Sequence, residues 1–223
     1  DLLGVLSGRI RSGTEYTLIC QIRIPRTLAC MGAGLGLSGS GLILQNVMNN
    51  ALASPNTIGV NSGAGFAVML SMVFFPTAVA TRGFFAFAGA LITSLLIFSL
   101  AYLSDSSRIT IILAGITISA FLSAGMNLVK ILDSDLLINI NSFLIGSLSG
   151  MTYGQLGLPL LMTAAAFIIT VLLANSLNIL SLGDDIASGL GMNVHRTRLV
   201  FLILSSLLAG AVISYAGLIS FVG

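Results

Sequence analysis

Charged side chains divide this chain into long apolar stretches, and the lengths of those stretches predict its elements. No Asp, Glu, Lys, Arg or His occurs in 27–81, 83–104, 109–129, 136–183 or 199–223, runs of 55, 22, 21, 48 and 25 residues. A helix that crosses a bilayer needs about 20 predominantly apolar residues. The runs of 22, 21 and 25 each fit one span. The run of 55 fits two spans and a turn, and the run of 48 fits one span plus a re-entrant or interfacial piece. Six spans follow, at about 27–45, 58–77, 83–103, 109–129, 156–174 and 199–221. These runs are apolar all round, whereas membrane barrel strands alternate in segments of about ten residues. The predicted fold class is all-α, a polytopic transmembrane helical bundle.

Composition agrees and removes other classes. Only 7% of residues are charged and 56% are hydrophobic, with a mean hydropathy of +1.07. A soluble domain carries roughly 25% charge, and disordered chains are polar and charged. Cys20 and Cys30 are too few for a disulfide scaffold, and a net charge of +2 offers no basic stripe for nucleic acid. The expected solvent is the lipid bilayer. The chain starts at Asp1 without an initiator Met and stops at Gly223 as its last apolar run finishes. The expectation is one membrane-spanning domain over 1–223, incomplete at both ends.

Small residues crowd the first long run: Gly32, Gly34, Gly36, Ser38, Gly39, Ser40 and Gly41. Gly32/Gly36, Gly59/Gly63 and Gly146/Gly150 have the GxxxG spacing that lets helix backbones approach closely in lipid. Gly34 to Gly39 also fits GxGxxG. That dinucleotide signature needs a preceding strand and an acid about 20 positions on, and no acid occurs between Glu15 and Asp105. Pro25 suits the start of the first span, where its missing N–H is harmless. Asn46, Asn49, Asn50, Ser54, Pro55, Asn56 and Asn61 then break the apolar pattern. Irregular backbone at membrane depth survives only inside protein or beside water. Residues 45–57 are therefore a predicted turn, with a short helix restarting near Ile58. A transport pathway accounts for Asn50, Pro55, Asn56, Gly59, Asn61 and Gly63, and so does an ordinary loop with Asn caps.

A resemblance rests on several motifs in register. Arg23-Ile24-Pro25-Arg26, the small-residue helix, and the stretch from Asn50 to Gly65 (NALASPNTIGVNSGAG) resemble the FecCD family. Leu113-Ala114-Gly115-Ile116, Phe143-Leu144-Ile145-Gly146-Ser147-Leu148-Ser149-Gly150, Leu182 to Gly191 (LGDDIASGLG) and Ala216 to Gly223 (AGLISFVG) agree in order and spacing. Phe143 stands where that family has Trp, and the last motif is cut short. The family comprises ten-span permeases of ABC importers for iron-siderophores, haem and cobalamin. The resemblance implies a multi-pass protein of the prokaryotic cytoplasmic membrane that lacks the family's first and last helices. It implies three protein partners: a cytoplasmic ATP-binding subunit, an extracytoplasmic substrate-binding protein, and a second permease copy, identical or paralogous. The implied cargo is an iron-siderophore-type chelate, with haem and cobalamin open.

On that template 1–26 and 130–155 lie outside and 175–198 inside. The assigned outer side carries six basic residues (Arg9, Arg11, Arg23, Arg26, Arg82 and Lys130), and the inner side three (Arg108, Arg196 and Arg198). This runs against the usual excess of Lys and Arg in cytoplasmic loops. The family offers a use for it: arginines at the RxPR positions, here Arg23 and Arg26, meet acidic residues of the binding protein. Alternatively they cap a span at the headgroups.

Within 175–198, Ser181 and Asp184 have the spacing of a capping box. Asp184 and Asp185 suit the first turn of a helix. Leu182, Ile186 and Leu190 recur every four residues, and Gly189 and Gly191 can end the helix. Alone this reads as a short interfacial helix. The resemblance implies an ATPase coupling loop over Leu182, Gly183, Asp184, Asp185, Ile186, Ala187, Gly189, Leu190 and Gly191. Residues 133–150 read as a short outer helix or a plain outer loop. No catalytic set, metal site, cofactor motif or P-loop GxxxxGK[ST] occurs, and the lone His195 lies beside Arg196 at a span boundary. The predicted spans hold no ionisable residue, which disfavours the rival class of ion-coupled secondary transporters. A structural membrane subunit would not account for the ordered motifs.

Overall fold

The computed structural model describes residues 13–56, 59–76, 78, 81–103, 108–132 and 136–219. Arg9, Arg11, Thr57, Ile58, Asp133, Asp135 and residues 220–223 lie outside the described residues. The described chain is helical, without strands. In order come α1 (Thr14–Met48), α2 (Val60–Phe74), α3 (Arg82–Leu103), α4 (Arg108–Leu132) and α5 (Leu136–Ile145). They are followed by α6 (Tyr153–Leu172), α7 (Ala174–Ser181), α8 (Asp184–Gly189) and α9 (Val194–Ala216).

Five helices (α1, α3, α4, α6 and α9) are long and apolar enough to cross a membrane, and α2 is a shorter sixth. The six predicted spans therefore have six helical counterparts with shifted ends. At 15 residues α2 is about 22 Å long, short of the roughly 30 Å hydrocarbon layer. It starts at Gly59, which holds a left-handed φ of 79°, and ends at the non-helical Phe75. α9 begins five residues before the predicted start and stops at Gly217, whose φ of 72° breaks the helix before the apolar run ends.

The largest departure is in α1. Its helix begins thirteen residues before the predicted span, and Thr17–Arg23 follows the wider π register. Pro25 lies inside this continuous helix, not at its start. A proline there removes one backbone donor and crowds the carbonyl four residues back. In the π register Ile24 N–H donates to Ile19 O, so the next bond would run from residue 25 to Cys20. Pro25 cannot make it. The Tyr153 hydroxyl donates to the Cys20 carbonyl instead, at 2.7 Å, and ties α6 to α1.

α9 is the central post. It packs on α1, α3, α6 and α2, and 72% of its apolar window is buried, against 11% for α4. Hydrophobic clusters surround it, two of them large. One gathers Ile43, Val47, Ile97, Ile111, Leu180 and Phe201 toward α7. The other gathers Val68, Met72, Ala86, Met126, Ile140 and Ile213 toward α5.

Lipid tails are as apolar as Leu, so close packing and interhelical hydrogen bonds hold such helices together. The α1–α9 seam shows both. A Cβ added at Gly36 would lie 2.5 Å from Val212 Cγ2 and 3.1 Å from the Leu208 carbonyl oxygen. The buried hydroxyls of Ser40 and Ser205 share a hydrogen bond at 2.8 Å, and the Tyr215 hydroxyl donates to Ala29 O at 3.2 Å. α2 and α3 cross where Gly63 meets Gly89: a Cβ on Gly63 would stand 2.6 Å from the Gly89 carbonyl oxygen. Gly59 serves the left-handed start of α2, whereas Gly32, Gly36 and Gly63 are helix-packing positions. Gly146 and Gly150 are not, because both lie beyond α5 with φ of 72° and 73°.

The seam predicts two graded effects. Ser40→Ala should destabilise by about 0.6–1.7 kcal/mol, the range for interhelical hydrogen bonds in lipid. Gly36→Val should cost more, because the Leu208 backbone cannot yield as a side-chain tip can. Thermal denaturation in detergent micelles checks both. Equal melting temperatures for Gly36→Val and wild type would contradict the seam.

Candidate coupling and docking surfaces

α7 and α8 lie at the end of the bundle where α1 and α6 finish and α9 starts. Gly183 opens α8 with φ 116°, ψ 158°, a conformation L side chains rarely adopt. No capping box forms here. The Ser181 hydroxyl turns back to Asn178 O at 2.7 Å, and the Asp184 carboxylate is taken by another partner. One guanidinium nitrogen of Arg198, Nη2, donates to both Asp184 oxygens at 2.7 Å. Arg198 is 1% exposed, whereas 42% of the Asp184 side chain is accessible. Asp185 is exposed, and Asn193 Oδ1 accepts from Arg196 N–H at 3.0 Å to cap α9.

The predicted apolar stripe is present and uncovered. Leu182, Ile186 and Leu190 are 58%, 53% and 65% exposed, whereas Ala187 on the opposite side is buried. Gly189 and Gly191 are exposed, and Gly191 ends the unit with φ 83°. Between the end of α3 and the start of α9 opens a groove of about 820 Å³ lined by Phe98, Ser99, Asn193, His195 and Arg196, among others.

The opposite end collects the starts of α1, α3 and α6 and the end of α9. There Tyr153 meets Cys20, and a Cβ on Gly83 would lie 2.7 Å from Ser214 O. Arg23 and Arg26 both stand exposed on α1, with Pro25 buried between them. A groove of about 710 Å³ at this end includes Arg82, Phe84, Phe143 and Tyr215 in its lining.

The polar turn after α1 is built by its asparagines. Asn49 takes the left-handed φ of 47° that ends α1, and Asn50 N–H donates to Gln45 O at 3.0 Å. The Asn50 side chain accepts from Leu52 N–H at 2.9 Å. Pro55 O and Asn56 O accept from Val60 and Gly59 N–H at 3.1 and 3.2 Å. Asn50 and Asn56 are exposed, whereas Gly59, Asn61 and Gly63 are buried within the bundle. The six residues singled out here thus divide between an exposed turn and a packed helix start.

Two further motifs meet. Leu218 N–H donates to Phe143 O at 3.0 Å and Ser147 N–H to Ala216 O at 2.8 Å. These bonds join the α5 exit to the α9 exit. Gly217 is required there, because its Cβ would lie 2.5 Å from Phe143 O.

The model of the FecCD transport family matches residues 1–223. The chain belongs to this family. It is 35% identical over 210 residues to the Fe(3+)-citrate import system permease protein YfmE of Bacillus subtilis, covering 92% of the chain. It is 33% identical over 228 residues to the ferric enterobactin transport system permease protein FepD of Escherichia coli, covering 100% of the chain. It is 35% identical over 209 residues to the hemin transport system permease protein HmuU of Yersinia pestis, covering 91%. The chain spans 62%, 67% and 63% of these relatives' own lengths. A solved inward-facing structure of a metal-chelate type ABC transporter superposes with a TM-score of 0.86 at 28% identity, over 95% of this chain and 68% of that one. This FecCD chain is a multi-pass protein of the cytoplasmic membrane, as its apolar helices and bacterial relatives show.

The FecCD motifs did not point to Arg198 or Tyr153. A basic residue at the edge of an apolar run normally reads as a headgroup charge. Here α9 begins upstream of that run, so Arg198 falls inside packed protein. Asp184 and Arg198 neutralise one another within the chain and are not free charges for a soluble partner. Tyr153 precedes the predicted span at 156–174 and carried no signal at all.

The α5–α9 junction yields a direct test. Gly217→Ala should destabilise by about 1–3 kcal/mol, the usual penalty for a strained backbone position, plus displacement of Phe143. Melting in detergent measures it, and Gly154→Ala, which meets nothing within 4 Å, should leave the melting temperature near wild type.

Proposed function

We propose that this chain is the permease part of a binding-protein-dependent ABC importer moving an iron-siderophore-type chelate across the cytoplasmic membrane. ATP is hydrolysed by a separate cytoplasmic subunit. The observation that carries this reading is α8. At six residues it is far too short to span a bilayer, yet it and its flanking residues leave Leu182, Ile186 and Leu190 uncovered. An apolar stripe on a short helix outside the bundle suits insertion into a cleft of a soluble protein. We assign Leu182 to Leu190, with Gly191 as the exit, to coupling with the ATPase. The named cargoes of the relatives, ferric citrate, ferric enterobactin and hemin, support a chelate as the substrate class.

At the other end, exposed Arg23 and Arg26 flank a buried proline on a rigid helix. Such fixed positive charge suits an acidic docking surface on an extracytoplasmic binding protein. α4 leaves Leu113, Ile116, Phe121 and Leu128 uncovered, a face suited to a second permease copy. The turn through Asn50, Pro55 and Asn56, with Asn61 at the start of short α2, is the candidate polar lining of the route. Gly59 and Gly63 allow the close helix approach beside it.

Uptake by proteoliposomes tests the class. The full-length protein, reconstituted with its ATPase and binding protein, should accumulate chelate with internal or external ATP at the ATPase face and no ion gradient. Uptake driven by a proton or sodium gradient without ATP would overturn the reading. Docking has its own test. Arg23→Glu with Arg26→Glu should weaken binding-protein affinity roughly tenfold or more at low salt and flatten its salt dependence. Unchanged affinity and salt slope would remove the docking role.

A further inference from the structure

We propose that the Arg198–Asp184 ion pair is the strut that makes α8 and α9 move as one body, so that both residues position the coupling helix against the central helix. The inference rests on the coupling reading of α8 and adds the route by which displacement of α8 reaches the core.

The geometry supplies the reason. Asp184 is the first residue of α8, and Ala187 is the one residue of that helix that is buried. Packing alone therefore holds α8 weakly. Arg198 sits in the second turn of α9 with almost no solvent exposure, and its Nη2 reaches both carboxylate oxygens at 2.7 Å. A charge-assisted bond of this length is among the stronger polar contacts. Separating a buried guanidinium from this carboxylate removes charge compensation inside the protein, which is unfavourable. The bond thus resists separation when α8 is pushed, and α9 must follow. The connection between them is also short: Met192 N–H donates to Ala187 O at 3.1 Å, and Asn193 caps α9 at once. Because α9 packs on α1, α3, α6 and α2, its displacement reaches the middle of the bundle. Neighbouring Asp185 is exposed and stands outside this pair.

The test uses the full-length permease with its ATPase subunit and binding protein in proteoliposomes. Truncating Asp184 would strip the buried guanidinium of this carboxylate, whereas removing Arg198 leaves a carboxylate whose side chain is 42% accessible to solvent. The variant is therefore Arg198→Met, which lies outside the segment assigned to the ATPase. It should assemble with the ATPase subunit and hydrolyse ATP at close to the wild-type rate, while chelate imported per ATP falls about tenfold, within the 5–150-fold typical of coupling energies. Arg198→Lys, which keeps the charge, should retain most of that ratio. Wild-type import per ATP in Arg198→Met would overturn the strut. So would parallel loss of ATPase-subunit binding, which would make the pair a docking element.

A second measurement leaves the pair intact. Spin labels at the exposed Ser188 and Val200, in a Cys20→Ser, Cys30→Ser background, should keep one separation with and without ATP. A change in separation would show that α8 and α9 move independently. Ile186→Asp with Leu190→Asp isolates the parent reading: undiminished ATPase-subunit binding in that variant would defeat the coupling role of α8 itself.

Discussion

Close packing against α9 is the constraint on which the rest of the molecule depends. Within hydrocarbon no hydrophobic force drives one apolar helix onto another, so association comes from surface fit and interhelical hydrogen bonds. α9 meets α1 along Gly36, Gly39 and Ser40, and meets α3 at Gly210, where Phe87 and Ala90 stand. The small residues on α1 and α9 let the backbones close, and each hydroxyl at the seam is hydrogen-bonded within the protein. α4 shows the opposite design. Its outward side is large and apolar, with Phe121 78% exposed, and it needs lipid or another subunit against it.

The same constraint explains why chemistry collects at the two ends. A charge at bilayer depth is expensive, and the described charges accordingly lie toward the ends of the long helices, within four turns of an end, or in short α8. One end holds Arg23 and Arg26 on a stiff helix stiffened further by the Tyr153–Cys20 bond. The other holds the α7–α8 unit, anchored by Arg198. The two ends are linked by α9, the helix that both share.

Much of this was legible in the residue order, and the departures have physical causes. Charge-free runs located six helices because the bilayer sets their length. They misplaced the ends because helices continue into the headgroup zone, where Gln21, Arg23 and Arg26 are as acceptable as Leu. Pro25 looked like a helix start since proline normally breaks a ladder, and only the π register with a tyrosine from another helix accommodates it internally. Gly146 and Gly150 share a spacing with true packing pairs but serve φ near 72–73°, a use that spacing cannot distinguish. Ser181 and Asp184 matched a capping box, yet a buried arginine fourteen residues on outcompeted the backbone for the carboxylate. The asparagine-rich turn was readable as a turn, and its hydrogen bonds follow ordinary Asx chemistry. The FecCD assignment came from several short motifs in order, none decisive alone.

The proposed seating of the ATPase subunit on α8 is directly measurable. Cysteines at Ile186 and Leu190, in a background lacking Cys20 and Cys30, measure this through their rate of reaction with a membrane-impermeant thiol reagent. Both should react quickly from the ATPase face of the membrane and slow sharply once the ATPase subunit is added, while a cysteine at exposed Phe84 near the far end keeps its rate. Reaction from the opposite face, or rates indifferent to the ATPase subunit, would contradict the account.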